Sequence, residues 1–561
     1  NHYFRASGDC YGCHGPDNFG PVFANRTAGG QDVNAGDNWR STMMGNSARD
    51  PLWRAKVSHE ITVNPGHQAG LEDKCTSCHA PMGSHDKHLW NGGQYSIAEL
   101  NNDPIALDGI GCMACHMIAA DSAGKLFSGT QKYDTNDVEF GPYQDLFGAP
   151  MANFVGYNPV HGEQINSAGL CAGCHTLITE TADLSGNSTG GEFVEQATYH
   201  EWLNSVFNTD FDPEGGITCQ GCHMPRLDEP IVISALYDFL TPRQPYGQHH
   251  FVGGNAFMLK LLKNNVDDLM LTSSSARFDT TIARTINQLQ NSSLLLENTL
   301  ISRDASQASF DVKLTNLAGH KFPSGYPSRR MVLEFWITDE QGNDLFHSGG
   351  IDNTYEVIGH DPNYEPHYDV ITQEDQAQIY EMVMADVNGD KTTVLERAAT
   401  SLKDNRLPPK GFTSTHYAYD TCVVAGVSAA DIDFNRNDDT SEGAGSDIVH
   451  YQVALNGYTG ALQGHARVWY QSVPPRWLEE MFQYHTAPID SFRTMYNEMD
   501  GTPVIVRVQD SDISTGADAV SLGNLRIFPN PVHDGVLRIE GISDRIDGIE
   551  VFDMSGALVA R

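Results

Sequence analysis

Five short segments carry the most informative chemistry in the sequence. Each reads Cys-x-x-Cys-His, with thiols at Cys10 and Cys13, Cys75 and Cys78, Cys112 and Cys115, Cys171 and Cys174, and Cys219 and Cys222, followed by His14, His79, His116, His175 and His223. Two thiols at this spacing can bond to the two vinyl groups of one porphyrin, and the histidine can bind its iron. Disulfides or zinc sites also use paired cysteines, but neither requires a histidine after every pair. The sequence therefore predicts five covalently attached c-type haems.

Each iron has room for a second axial ligand, and the other histidines can supply it. Methionines follow the haem histidines too closely to reach the far face of the ring, so we predict ligation by two histidines. Of the adjacent pair His249 and His250 we expect only one to bind, and we choose His250. His320 lies in a Gly-His-Lys-Phe-Pro loop and either binds iron or caps the turn. The predicted distal ligands are His59, His85, His161, His200, His250 and His320.

The spacing of the motifs predicts how the chain folds around them. About 45 residues per haem are too few for a separate apolar core, so we expect a loop-rich, mainly α cytochrome domain over residues 1–296, closed by two helices within 256–296. Short alternating apolar runs then predict an antiparallel β-sandwich domain with short C-terminal helices over 297–509. A linker over 510–523 and a small β-domain over 524–561 complete this multidomain organisation.

Charge and apolarity exclude several kinds of partner. The 561 residues contain 35 Lys and Arg against 72 Asp and Glu, a net charge of −37, which disfavours nucleic acid and anionic lipid. The sequence contains no run of 18 or more apolar residues, so it predicts no membrane-spanning helix. The first cysteine follows closely on Asn1, as in an exported chain after removal of a signal peptide. Acidic stretches at 433–439 and 386–390 resemble incomplete calcium loops, and a solvated hairpin is the preferred interpretation of both.

The last segment contains Phe528-Pro529-Asn530-Pro531 and the turn Asp553-Met-Ser-Gly556. It resembles the type A C-terminal sorting domain of the type IX secretion system. The resemblance implies export through the periplasm to the outer cell surface or the medium.

Other segments resemble multihaem cytochromes with a C-terminal β-domain. They are Cys75-Thr-Ser-Cys-His-Ala-Pro-Met82, Gly221-Cys-His-Met-Pro225 and Gly319-His-Lys-Phe-Pro323. The resemblance implies an electron carrier whose partners are other cytochromes or extracellular acceptors. One form of this hypothesis is a homopolymeric filament in which His2 bridges to a neighbouring copy. The alternatives are an oxidoreductase acting on a small nitrogen compound at one open iron, and a surface-layer or adhesion protein.

Overall fold

The computed structural model describes residues 1–18, 23–237 and 239–514, together with the backbone of four short strands between 526 and 560. Most of the predicted linker and C-terminal β-domain lies outside the described residues. Among the helices of the described chain, none has both the length and the apolarity needed to cross a bilayer.

Helices predominate up to residue 292. The α-helices are α1 Ser7–His14, α2 Ala35–Arg40, α3 Pro51–Val63, α4 Gln68–His79, α5 Pro81–Asn91, α6 Ile97–Leu100, α7 Cys112–His116, α8 Ala149–Phe154, α9 Gly169–Ala172, α10 Thr198–Leu203, α11 Cys219–His223, α12 Ala256–Asn264, α13 Ser275–Ser292, α14 Pro475–Leu478 and α15 Ala487–Asn497.

Strands predominate from residue 294. In chain order they are β1 Val138–Gly141, β2 Asn158–His161, β3 Leu177–Ala182, β4 Ser188–Gln196, β5 Arg226–Leu227, β6 Tyr246–Gly247, β7 Leu294–Arg303, β8 Gln307–Asn316, β9 Arg330–Asp339, β10 Asp344–Ser348, β11 Val370–Ile371, β12 Gln378–Tyr380, β13 Met382–Ala385, β14 Thr400–Asp404, β15 Ser446–Ala454, β16 Leu462–Gln471, β17 Val504–Asp510, β18 Arg526–Phe528, β19 Arg538–Glu540, β20 Val551–Phe552 and β21 Leu558–Ala560.

Helices α12 and α13 pack against each other through Leu259, Leu262, Phe278 and Ile282. The second of the two predicted closing helices ends earlier than the sequence pattern indicated, at Ser292 and not at 296. The last three residues of that stretch, 294–296, begin strand β7, in which alternate side chains are buried. A run of leucines satisfies helical and strand spacing equally well, so pairing with β8 decides its conformation.

Two sheets form the β part. One has the order β10-β9-β16-β17 with β12 also paired to β9, and the other has the order β11-β15-β8-β7. All these pairs are antiparallel except β11 with β15. The sheets share one apolar core, in which Phe335 of the first stacks on Tyr451 of the second with ring centroids 4.0 Å apart. This core is larger than any apolar cluster near the Cys-x-x-Cys-His motifs.

A buried network of charges joins the two parts of the chain. The Lys321 ammonium lies 2.8 Å from Asp404 in β14, and the Arg406 guanidinium pairs with Asp404 at 2.8 Å and with Glu201 of α10 at 3.2 Å. The Ser324 hydroxyl also donates to Glu201. Every charged side chain in the network is at most 4% exposed. Removing one member therefore leaves a charge buried without its counterion.

Arg406→Gln is expected to lower the free energy of unfolding by about 3–5 kcal/mol, because Glu201 then lacks its counterion in a buried place. Urea unfolding of the haem-loaded chain, followed by circular dichroism, measures the change. Lys132→Gln is the matched control, since its pair with Asp121 is 64% and 68% exposed and contributes about 0–1 kcal/mol. Equal midpoints for the two variants would show that the buried network does not stabilise the fold.

Candidate haem-binding site

Each Cys-x-x-Cys-His motif lies in or beside one helical turn. The first two close α1 and α4, the third and fifth are α7 and α11, and α9 contains Cys171 of the fourth. Helical spacing places the two cysteines and the histidine of a motif on one face, because residues three and four apart are neighbours on a helix. Each turn therefore presents two thiols and one imidazole to the same side, as attachment of a porphyrin requires.

Three of the motif histidines are held in the tautomer that binds metal. The Nδ1 atom of His14 donates to the carbonyl of Ile233 at 2.7 Å, and that of His116 donates to the carbonyl of Phe140 at 2.6 Å. His223 donates in the same way to the carbonyl of Val252. With the proton on Nδ1, the lone pair of Nε2 is free to bind iron.

Burial also keeps the rings of four motif histidines, His14, His79, His175 and His223, uncharged. Desolvation lowers the pKa of His79 to about 4 and that of His175 to about 4, and it lowers the pKa of His14 and His223. The neutral imidazole is the form that acts as a ligand. The ring of Trp53 stacks on His79 with centroids 4.7 Å apart and an angle of 6° between planes, which fixes the orientation of that imidazole.

Two motif histidines face a second imidazole. The centroids of His223 and His320 are 6.2 Å apart with 12° between ring planes, and those of His116 and His249 are 6.4 Å apart with 20°. A metal–nitrogen bond to histidine is about 2 Å long and the nitrogen lies about 1 Å from the ring centre, so two rings on opposite sides of one metal have centroids about 6 Å apart. Both spacings fit an iron between the rings.

The ring opposite His116 belongs to His249, not to the predicted neighbour His250. Desolvation, more than any neighbouring charge, lowers the pKa of His249 to about 3 and that of His250 to about 4. The Nε2 atom of His250 is buried and has no hydrogen-bond partner among the described residues. The His250 N–H donates to the carbonyl of Gln248 at 2.8 Å, so a tight turn at His249 decides which of the two rings faces His116, and the sequence does not reveal this turn.

The other predicted distal ligands lie in different surroundings. His59 is buried, with Nδ1 3.1 Å from the Lys56 ammonium and Nε2 unpartnered within the described chain. His85 is buried beside Tyr133, with ring centroids 4.8 Å apart. His200 is buried, and its Nδ1 lies 3.2 Å from the Thr176 hydroxyl. His161 is exposed at the end of β2.

The motifs meet through their cysteines. Thiols of different motifs lie close enough to shift each other's pKa in three pairs, which are Cys10 with Cys112, Cys78 with Cys174, and Cys171 with Cys219. Cys115 acts electrostatically on Cys171 and Cys174. The fourth motif thus lies beside the second and fifth and within electrostatic range of the third, and the first lies beside the third. Porphyrins tethered at these thiols would lie edge to edge in one connected group.

Several other sequence features have ordinary structural roles. Met82 and Met117, which follow haem histidines, are buried in an apolar cluster with Phe4 and Tyr133. Cys422 is buried, and its thiol donates to the carbonyl of Ala418 at 3.2 Å.

Neither acidic stretch forms a calcium loop around its own carboxylates. Asp386 accepts the backbone N–H groups of Asn388 and Asp390, which makes that stretch a tight turn. At 433–439, Asn437 and Asp439 bond to Ser441, which makes a polar hairpin.

Comparison with known proteins identifies the fold. No protein-family model and no curated protein matches the chain. Among solved structures, the chain is similar to a penta-haem cytochrome c552 from Thermochromatium tepidum, with a TM-score of 0.50 and 15% identity over 90% of this chain and 98% of that one. HBP35 of Porphyromonas gingivalis gives a TM-score of 0.15 and 12% identity over 52% and 62% of the two chains, a likeness that carries no argument. The chain has the fold of a penta-haem cytochrome over most of its length.

His320→Ala is expected to leave one of the five predicted haem irons without its second axial ligand, because it removes the ring that faces His223. A carbon monoxide difference spectrum of the reduced variant should then show binding at one haem per chain. His485→Ala is the control, since its side chain is 74% exposed and far from the motifs in sequence. A His320→Ala spectrum identical to that of the control would exclude His320 as an iron ligand.

Proposed function

We propose that this protein transfers electrons through five covalently bound c-type haems. The observation that carries the proposal is the proximity of the motifs: electrostatic interactions between thiols of different motifs link all five Cys-x-x-Cys-His turns. Single haem sites scattered over a surface would need no such contacts. The penta-haem fold of the similar cytochrome supports the same interpretation.

The haem supplies the reversible one-electron chemistry, and the residues of the chain set its conditions. The cysteines would tether each ring, and His14, His116 and His223 would offer Nε2 to the iron because backbone carbonyls hold the proton on Nδ1. His249 and His320 would be the second ligands of two irons, which leaves no position there for a substrate. Two imidazole ligands at an iron suit electron transfer better than catalysis.

The acidic charge and the C-terminal motifs support a proposal for the location and partners of the protein. We propose that it lies at the outer cell surface or in the medium, delivered through the periplasm, where it exchanges electrons with other cytochromes or with extracellular acceptors. A net charge of −37 favours partners with positively charged docking surfaces.

A homopolymeric filament is a special form of this proposal. His2 stacks on Trp90 with centroids 3.7 Å apart, and its backbone N–H donates to Asp86. Both rings are exposed, so the N-terminus presents an imidazole at the surface beside an aromatic side chain that is 59% exposed. If the His2 ring moved away from Trp90, it could bind a haem iron of a neighbouring copy that lacks a second axial ligand.

A second candidate function is an oxidoreductase acting on a small nitrogen compound at one open iron. The observation in its favour lies beside the second motif. The Tyr326 side chain is buried beside the Trp477 ring, and Glu195 and Cys75 both act on its hydroxyl electrostatically. Desolvation raises the pKa of Glu195 to about 8, so this carboxyl carries a proton at neutral pH and can donate it.

Spectra of the purified haem-loaded chain separate the two functions. Electron transfer through closed irons predicts five haems per chain and no change in the reduced spectrum on adding carbon monoxide. A clear carbon monoxide shift in the unmutated protein, lost or altered in Glu195→Gln, would favour the oxidoreductase. Electron micrographs of the same sample test the filament, since single particles at all concentrations would contradict it.

A further inference from the structure

A cluster of acidic and histidine side chains lies in the β part, formed by three segments that follow similar patterns. His-x-Asp precedes β11, Asp-x-Asp precedes β15, and Asp-x-x-His lies within β15. Each segment gives one side chain to a buried inner triplet and one to a partly exposed outer triplet. The inner triplet is His367, Asp431 and Asp447, and the outer triplet is Asp369, Asp433 and His450. Within each triplet, one ligand atom per residue lies within 4.8 Å of the others.

The inner triplet is held by hydrogen bonds that fix the tautomer of His367. Its Nδ1 lies 2.9 Å from the amide nitrogen of Gln378 and 3.0 Å from that of Asn405. The oxygen of each amide accepts a backbone N–H, so both nitrogens must face the ring. Nδ1 is therefore an acceptor, and Nε2 carries the proton that it donates to Asp431 at 2.9 Å. His367 is a hydrogen-bond donor here and has no lone pair for a metal.

The outer triplet has the opposite arrangement. The Nδ1 atom of His450 lies 2.6 Å from the Asp311 carboxylate, which fixes a proton on that nitrogen. In the neutral ring the lone pair of Nε2 then faces two more carboxylates, Asp433 at 2.9 Å and Asp369 at 3.8 Å. A carboxylate that orients a histidine from behind is the usual second layer of a metal site.

The Lys and Arg side chains of the described chain do not balance the charge of the cluster. Five carboxylates, including Asp311, surround His450 and the neutral His367. Among the described residues, neither Lys nor Arg forms an ion pair with any of the five. The Oδ1 atoms of Asp369 and of the fully buried Asp447 are shielded from solvent and find no partner in the described structure. Buried anionic oxygens without donors are costly unless a cation lies nearby.

We propose that the outer triplet binds one divalent transition-metal ion of the zinc or manganese class, with Asp369, Asp433 and Nε2 of His450 as ligands. Bonds of about 2.0–2.2 Å place adjacent donor atoms about 3 Å apart, which the separation of 2.9 Å between Asp433 and His450 matches. Imidazole suits these metals better than it suits calcium, which takes oxygen ligands. The three side chains are 46%, 27% and 30% exposed, so solvent can deliver the ion and complete its coordination.

The test uses the full chain with its haems, which survive chelation because they are covalently attached. After treatment with EDTA, the protein is dialysed against Zn²⁺ or Mn²⁺, and bound metal is measured by mass spectrometry relative to haem content. We expect one equivalent of metal per five haems, and a thermal unfolding midpoint that rises with metal concentration. Asp433→Asn should abolish this equivalent. Asp311→Asn should weaken binding about 10–100-fold, because Asp311 only orients His450.

Glu340→Gln is the matched control, since it removes one exposed carboxylate from the β9–β10 turn of the same part of the chain. It should bind metal like the unmutated protein. If Asp433→Asn does not fold, Asp369→Asn serves in its place, because Asp369 is the most exposed ligand and should also lose the metal. The proposal would be overturned if the unmutated protein failed to retain zinc or manganese, or if the Asp369 and Asp433 variants retained as much metal as the unmutated protein. His450 would then be a charged imidazolium between carboxylates. None of these outcomes depends on haem function.

Discussion

The helical part of the chain depends on one constraint: each predicted porphyrin is tethered at two points to a single helical turn. A turn of that kind fixes the edge of the ring, and contacts between cysteines of different turns then fix the rings relative to one another. The apolar clusters near the motifs are small and separate, unlike the single core between the two sheets. The protein surrounding the motifs therefore needs the rings to complete its packing.

The β part contributes directly to this arrangement. It supplies the loop of His320, whose ring faces a motif histidine almost a hundred residues earlier in the chain. The same loop is held from behind by Lys321 and from the side by Ser324, both within the buried network that includes Glu201 and Arg406. The strands thus act as a rigid support for a predicted iron ligand, and not only as a separate domain that follows the motif region.

The sequence predicted those features that depend on residues close together in the chain. The Cys-x-x-Cys-His turns are local, so their chemistry and helical geometry could be inferred without a structure. Features that depend on distant residues could not be inferred. The choice between His249 and His250 depends on a tight turn at His249, and the end of α13 depends on the pairing of β7 with β8. Alternation of apolar residues did predict strands after 297, but not which carboxylates they bring to His450.

The acidic cluster shows the same limit. His367, Asp431 and Asp447 are separated by up to 80 positions, and each belongs to a pattern too short to be recognised alone. A local calcium loop would not predict the contacts of Asp433, because its carboxylate turns towards His450 in β15 and away from the residues that follow it. Only the tertiary arrangement distinguishes an acidic hairpin from a set of converging ligands.

The position of the fourth motif has a consequence for any current that flows through the molecule. Its thiols lie beside those of the second and fifth motifs and within electrostatic range of the third, whereas those of the first lie beside the third. Considered as a graph, the set is a branched tree with the fourth motif as its junction. Loss of a terminal member shortens one branch, but loss of the junction divides the tree into three isolated pieces. Damage at Cys171 or Cys174 would therefore disconnect the second and fifth motifs from the rest, although each would keep its own ring.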